Sequence, residues 1–70
     1  MDFRLKVFKK VADLLSYTKA ARELNISQPA VSKHISKLEE HFEKALIHRE
    51  GNKISLTSEG QLLLNHANKI

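Results

Sequence analysis

Residues 18–38 read Thr-Lys-Ala-Ala-Arg-Glu-Leu-Asn-Ile-Ser-Gln-Pro-Ala-Val-Ser-Lys-His-Ile-Ser-Lys-Leu, and this segment is the most informative part of the sequence. Its first part predicts a short helix whose inner face carries Ala20, Ala21 and Leu24. A tight turn over residues 25–26 ends that helix, and a second helix begins directly after it. The stretch therefore predicts two helices joined by a very short turn.

The second helix is expected to run from about residue 28 to about residue 42. Ser27 and Pro29 open it, and proline is tolerated there because the first amides of a helix have no intrahelical acceptor. Apolar residues recur along one stripe, namely Val31, Ile35, Leu38 and Phe42. The residues off the stripe can donate hydrogen bonds or positive charge: Gln28, Ser32, Lys33, Ser36 and Lys37. A helix-turn-helix presents such a second helix to the DNA major groove, so the sequence predicts sequence-specific DNA binding.

An amphipathic helix over residues 3–15 is expected before this pair, with Asp2 placed to cap its start. Its apolar residues are Leu5, Phe8, Val11, Ala12 and Leu15. Ser16 and Tyr17 are expected to make the break, and Thr18 to cap the next helix. The three helices together predict a small helical core.

The period of the apolar residues changes after the third helix. Two short runs, residues 46–49 and 53–57, lie on either side of Gly51 and Asn52. Glycine and asparagine accept positive φ most readily, so a small β-hairpin is expected here.

A fourth helix is expected from about residue 58 to the carboxyl end, capped by Thr57 or Ser58. Its apolar residues are Leu62, Leu63, Leu64, Ala67 and Ile70. They form more than one stripe, so we expect one face to pack on the domain and another to seek a second surface. The order of three helices, hairpin and helix predicts a winged helix-turn-helix, mainly α with a small β-hairpin wing.

Length and composition limit the classes of protein that the chain can represent. Seventy residues make at most one small domain, and the absence of cysteine excludes disulfides and thiolate metal ligands. No apolar run is longer than that of residues 62–64, which is far too short to cross a bilayer, and the charged start lacks the layout of a signal peptide. We therefore expect a cytoplasmic protein without a membrane partner. A formal charge of +4 favours a polyanionic partner.

Metal and enzyme sites are not expected from this sequence. His34, His41 and His48 are evenly spaced, but their separation corresponds to about 10 Å of helical rise, too far for two imidazoles to share one ion. Because Gly51 and Gly60 are its two glycines, the chain lacks a glycine-rich loop that could bind phosphate. No nucleophilic residue belongs to a recognisable catalytic motif. We expect neither a cofactor nor an enzymatic activity.

Several residues carry a resemblance to a known family. Ala20-Ala21 stand in register with Ser27-Gln28-Pro29-Ala30-Val31-Ser32, and Leu56-Thr57 and Gly60 follow. Other matching positions are Leu5, Phe8, Ser16, Thr18, Leu24, Ile35, Leu38, Glu39, Leu46 and Arg49. Nearly the whole chain resembles the amino-terminal DNA-binding domain of LysR-type transcriptional regulators. The related domain of molybdate-responsive regulators has a similar layout.

The chain departs from the family pattern at two positions. Glu43 stands where the family usually has the glycine that ends the third helix, so Glu43 is expected either to strain that turn or to lengthen the helix. Ile47 stands where phenylalanine is usual, which shrinks a core contact without removing it. Neither departure touches the side chains expected to face DNA.

The DNA-facing residues fall into three groups. Base contacts are expected from Gln28, Pro29, Ala30 and Lys33, because an amide can pair with adenine, apolar surface suits a thymine methyl, and the resemblance favours base contact at Lys33. Backbone contacts that fix the register are expected from Thr18, Ser27, Ser32, Ser36 and Lys37. Asn52 and Lys53 form the tip of the wing at the minor groove or its phosphates. Helix capping or simple solvation is the alternative for several of these side chains.

Arg49 and Glu39 are expected to pair with each other. Both lie at family-matched positions away from the groove face, so the pair would tie the wing strand to the recognition helix and play little part in reading bases.

The resemblance also implies an assembly. Residues 1–57 would form the DNA-binding domain and residues 58–70 the start of a linker helix that pairs with its counterpart in a homodimer. Excess apolar surface on Leu62, Leu64 and Ile70 motivates this expectation. A dimer would bind a partly palindromic double-stranded operator, and a small-molecule effector would act through a further domain that this chain lacks.

Two other classes of protein fit the same core pattern. A winged-helix module for protein–protein assembly would not need Gln28, Lys33 and the clustered hydroxyls on its exposed side. A transposase- or phage-type helix-turn-helix would bind DNA without a small-molecule sensor.

Overall fold

The computed structural model describes residues 2–69 and has the predicted order of elements. Its elements are α1 (Phe3–Leu14), α2 (Tyr17–Leu24), α3 (Gln28–Phe42), β1 (Ile47–Glu50), β2 (Lys53–Leu56) and α4 (Ser58–Asn68). The fold is a winged helix: three helices, an antiparallel two-stranded wing and a fourth helix. The predicted bounds of α3 are confirmed.

The core lies where α1 meets α2, α3 and α4. Its largest fully buried side chains are Phe8, Ile35, Leu46, Val7, Val11 and Val31. Three of the four predicted stripe residues of α3 are buried, but the expectation for Phe42 is wrong, since its side chain is 43% exposed. Phe42 is the last residue of α3 and lines an open groove beside α4, where the His41 ring packs edge-on against it with centroids 4.9 Å apart.

The helices begin at capped residues. Asp2 accepts a hydrogen bond from the Arg4 amide at 2.8 Å and caps α1 as predicted. A hydrogen bond from the Arg4 side chain, followed by that from the amide, lowers the pKa of Asp2 from 3.8 to about 2. Ser16, not Thr18, caps α2, because its hydroxyl accepts from the Lys19 amide at 3.1 Å. The helix starts two residues earlier than a Thr18 cap would place it, and the Tyr17 ring lies in the core.

Left-handed residues end the first three helices, and none of them is glycine. Leu15, Asn25 and Glu43 have φ of 49°, 58° and 55°. Leu15 therefore ends α1 instead of extending its buried stripe, and its side chain is exposed. The strained alternative for Glu43 is confirmed, since α3 stops at Phe42 and does not lengthen. An L-residue with a Cβ pays about 1–2 kcal/mol for this conformation.

The wing is a tight hairpin in which Glu50 pairs with Lys53 across the two-residue turn Gly51-Asn52. Gly51 has φ of 61°, whereas Asn52 is not among the residues with positive φ. Only one of the two expected positive-φ positions is therefore used, a pattern that fits a type II′ turn, which requires glycine at its first central position.

Glu39 ties the wing to α3, but not through Arg49. One oxygen of its carboxylate accepts hydrogen bonds from the Leu46 amide at 2.8 Å and the Ile47 amide at 3.3 Å. The predicted Glu39–Arg49 pair is wrong: the Arg49 guanidinium lies over the Tyr17 ring, 4.2 Å from its centroid. The reason is that the backbone amides of Leu46 and Ile47, where the chain enters β1, need an acceptor, and the Glu39 carboxylate supplies it.

Helix α4 docks closely on the start of the wing. Thr57, one of the two predicted caps, accepts from the Gly60 amide at 3.0 Å and donates to the Ala45 carbonyl at 2.6 Å. A Cβ at Gly60 would stand 2.1 Å from the Leu46 carbonyl oxygen, so only glycine fits without movement. Ala67 is fully buried at the other end of the described helix.

The predicted excess apolar surface of α4 is found at Leu62, whereas Leu64 contributes less than expected. Leu62 is 62% exposed, but Leu64 is partly buried and packs against the core beside Leu63. Ile70, the third residue of the predicted excess surface, lies outside the described residues. The unpartnered apolar surface of α4 therefore centres on Leu62.

Candidate nucleic-acid interface

The first half of α3 presents the residues that the sequence assigned to base contacts. Gln28, Pro29 and Lys33 are exposed and Ala30 is half-buried. The opposite side of the helix, with Val31 and two later stripe residues, is buried in the core. The amide and ammonium groups of this face are thus accessible to a nucleic acid, and none of them is used to fill the protein interior.

The charge of the side chains changes sign along α3, which favours one orientation of the helix toward a polyanion such as DNA. Residues 28–37 carry Lys33 and Lys37 and no acidic side chain, whereas the carboxyl-terminal turn and its cap carry Glu39, Glu40 and Glu43. The amino-terminal end of a helix also favours anions, because its first amides point toward them. The amino-terminal part of α3 is therefore the part that can approach phosphates, and the acidic end must point away.

The hydroxyl groups that the sequence assigned to backbone contacts lie around this face. Thr18 and Ser36 are exposed, and Ser32 is half-buried. Ser27 is exposed, and its hydroxyl already accepts a hydrogen bond from the Ala30 amide at 3.2 Å. Ser27 therefore acts as the cap of α3, and its hydroxyl can still donate one hydrogen bond outward.

A polar groove lies between the start of α2, the start of α3 and the wing. Thr18 and Lys19 line the groove on the α2 side, Gln28 lines it on the α3 side, and Asn52 lines it on the wing side. The fold thus brings together members of all three predicted groups, although they are distant in sequence. Lys53 is exposed next to this groove at the start of β2.

A second groove continues along α3 toward its acidic end. Ser32 and Ser36 line it together with Glu39, Ile47 and Tyr17. Arg49 belongs to the linings of both grooves. Lys37 is exposed on α3 but does not line either groove.

Arg49 and Lys19 also line the polar groove, although the sequence did not predict a DNA contact for either of them. The two-residue period of a strand was the available signal for Arg49: Ile47 is buried against the core, and Arg49 lies on the same face of β1. Lys19 follows Thr18 in the first turn of α2, where both side chains are exposed. Exposure and sequence alone could not show that α2 faces the wing.

Other kinds of site receive little support in the part of the chain that the structure describes. Among residues 2–69, no cluster of three or more His, Cys, Asp or Glu side chains could hold a metal ion. His34 instead packs edge-on against Phe3, with ring centroids 5.1 Å apart. None of the helices described is long and apolar enough to span a membrane.

Comparison with known proteins identifies relatives of the whole fold. Residues 3–61 match the family described as bacterial regulatory helix-turn-helix proteins of the lysR family. A probable RuBisCO transcriptional regulator of Phaeodactylum tricornutum is 43% identical over 67 residues, which are 96% of this chain and 22% of the relative. The chain thus spans about a fifth of the length of such curated relatives.

Solved structures agree with this match. A LysR-family transcriptional regulator from Eggerthella lenta superposes with a TM-score of 0.91 at 43% identity, covering 97% of each chain. The BenM DBD in complex with catB site 1 DNA superposes with a TM-score of 0.92 at 36% identity, covering 99% of this chain and 79% of the other. By its sequence and its fold, the chain belongs to the lysR family of bacterial regulatory helix-turn-helix proteins.

Proposed function

We propose that the chain binds double-stranded DNA in a sequence-specific manner, with the amino-terminal part of α3 in the major groove and the wing at the minor groove. The observation that carries this proposal is the exposed face of α3, where Gln28 and Lys33 stand free of the core. The likeness to the BenM domain, solved with DNA, supports it. A helix of this kind fits the width of the major groove of B-DNA.

Within this interface, contacts divide into reading and anchoring. Gln28, Pro29, Ala30 and Lys33 read bases, because they lie at the exposed amino-terminal part of α3. Thr18, Ser27, Ser32, Ser36 and Lys37 contact phosphates and fix the position of the domain on the duplex. Asn52 and Lys53 contact the minor groove or its phosphates from the wing tip.

The protein acts as a homodimer on a partly palindromic operator, with α4 as the dimer element. Leu62, 62% exposed on α4, supplies apolar surface that a second copy can cover. The longest dimension of the domain is 28 Å, which is less than the spacing of about 34 Å between successive major grooves on one side of DNA. One recognition helix of each copy would then occupy a major groove, with the two grooves one helical turn or a multiple apart.

Residues 1–57 are the DNA-binding domain and residues 58–70 the beginning of the linker helix. Since the chain spans about a fifth of its curated relatives, regulation of transcription in the cytoplasm in response to an effector would need further parts of a longer protein. Those parts would bind the effector and couple it to the domain described here.

Titration of the domain into a mixed-sequence duplex at two salt concentrations tests DNA binding. We expect measurable affinity that falls as salt rises, with a logarithmic slope of about 0.9 for each phosphate neutralised. A winged-helix module used only for protein–protein assembly would show neither property, and that result would refute the proposal. Selection of duplexes from a random pool then gives the half-site and its symmetry.

Sedimentation of the wild-type chain and of Leu62→Glu tests the dimer. The wild-type chain should dimerise at high concentration or on DNA, and Leu62→Glu should not. Gln61→Glu, which adds the same charge at a neighbouring exposed position, is the matched control. A wild-type chain that stays monomeric even on DNA contradicts the assignment of α4 as the dimer element.

A further inference from the structure

The ion pairs found among residues 2–69 leave the positive charge of Arg49 without a carboxylate partner. Its side chain is exposed on β1. Those ion pairs involve Arg4, Lys10 and His48, and Arg49 takes part in none of them. Its expected partner Glu39 is engaged by two backbone amides. The guanidinium therefore keeps its hydrogen-bond donors available for an external anion.

Tyr17 holds that guanidinium in place. Tyr17 lies in the first turn of α2, and the residue is only 8% exposed. The guanidinium carbon of Arg49 is 4.2 Å from the ring centroid. Stacking on an aromatic face restricts a long, flexible side chain while its in-plane N–H groups stay free to donate. A buried ring on one element thus positions an exposed cation on another.

The location of this pair decides which part of a duplex it meets. Arg49 lines the groove that contains Gln28 and Thr18 and also the groove that contains Ser32 and Ser36. It belongs to β1 of the wing and lines both grooves beside the recognition helix. The major and minor grooves of a duplex are separated by one sugar–phosphate backbone. A side chain between an element in the major groove and an element at the minor groove must therefore face that backbone.

We propose that Arg49 anchors a backbone phosphate of the strand that separates the two grooves, and that Tyr17 is its positioning residue. The proposal rests on the proposed DNA binding and adds a named contact to it. A planar guanidinium can donate two parallel hydrogen bonds to one phosphate. Glu39 lies in the second groove with Arg49, so phosphate is placed toward the Gln28 end, away from that carboxylate.

Substitutions at Arg49 test the anchor. Affinity should be measured as a function of salt for a duplex selected from a random pool and for a scrambled duplex of the same composition. Arg49→Gln should weaken binding to both duplexes alike, by about tenfold at low salt, and should lower the logarithmic salt slope by about 0.9. Arg49→Lys should keep the slope and recover only part of the affinity, because lysine is a point charge without the fork.

Substitutions at Tyr17 test the positioning role. Tyr17→Phe keeps the ring and should bind like the wild-type chain. Tyr17→Leu removes the aromatic face and should lower affinity with little change in the salt slope, since the charge of Arg49 remains. Circular dichroism checks that each variant folds. A folded Tyr17→Leu variant that binds as tightly as the wild-type chain would overturn the positioning role. If Tyr17→Leu does not fold, the Arg49 variants still decide the anchor.

Lys6→Gln is the matched control, because it removes the same charge from α1, where Lys6 borders a surface that contains no interface residue. A wild-type chain without salt-dependent binding would refute the proposed function itself. A wild-type chain that binds, with Arg49→Gln no different from Lys6→Gln, would overturn the anchor alone. Loss confined to the selected duplex would show that Arg49 reads bases and would overturn the phosphate assignment.

Discussion

Replacing Gly60 by alanine should destabilise the domain, because α4 approaches the wing too closely for a side chain. The new Cβ would lie 2.1 Å from the Leu46 carbonyl oxygen and 3.1 Å from its carbonyl carbon. The obstacle is backbone, so no change of rotamer relieves it. Helix α4 would have to move by about 1 Å to restore an ordinary contact.

The cost of that movement can be worked out from the contacts it disturbs. Overpacking typically costs about 1–3 kcal/mol. The movement also strains the hydrogen bond from the Thr57 amide to the Leu46 carbonyl, 3.1 Å long, and the capping bond from the Gly60 amide to Thr57. Each is worth about 1 kcal/mol. Alanine recovers about 0.5–1 kcal/mol over glycine in a helix, so the net loss is about 3 kcal/mol.

Urea unfolding followed by the helical circular dichroism signal measures this loss. A chain of this length has a free energy of unfolding of about 4–10 kcal/mol, so the shift of the midpoint should be large. Gly51→Ala is the control, because a Cβ there meets no atom within 4 Å and only the positive φ of 61° opposes it. That control should lose about 1–2 kcal/mol. A Gly60→Ala variant that loses no more than Gly51→Ala would refute the close-approach argument.

Three further predictions concern binding, a helix end and pH. Gln28→Ala should weaken operator binding by about 1–3 kcal/mol and relax preference at one base pair, whereas Lys37→Ala should weaken all duplexes alike and flatten the salt dependence. Identical profiles of these two variants in a competition assay would contradict the division between reading and anchoring. Glu43→Gly should raise the free energy of unfolding by about 0.5–1 kcal/mol, since glycine relieves the left-handed strain but makes the unfolded chain more flexible. A loss of stability in urea would argue against strain at that turn. The carboxyl of Asp2 has its pKa lowered from 3.8 to about 2, so its contribution to stability is full above about pH 4 and disappears as pH falls through about 2. An NMR titration should place its midpoint near pH 2, and Asp2→Asn should remove this part of the pH dependence; a midpoint near 4 would contradict the proposed contact.

The helical part of the fold could be predicted because its signals are local. The apolar stripe and the cap of α3 lie within a few residues of each other along the chain, and the predicted bounds of that helix are confirmed. The hairpin was predictable for the same reason, since Gly51 allows the positive φ that its turn needs. The start of α2 was misplaced because Ser16 and Thr18 are both good caps. Burial of the Tyr17 ring, a tertiary property, decides between them.

By itself, the sequence determined the elements, the family and the face of α3 that stays outside, because helical periodicity and capping act over one or two turns. The tertiary structure alone decided the partners of Glu39 and Arg49. Their pairing depends on which unsatisfied amides and which aromatic face the packed wing brings near them. Glu39 serves the backbone of β1, and Arg49 is left on Tyr17 between the two grooves. Glu39 and Arg49 do not pair with each other, because the folded chain brings a different partner close to each of them.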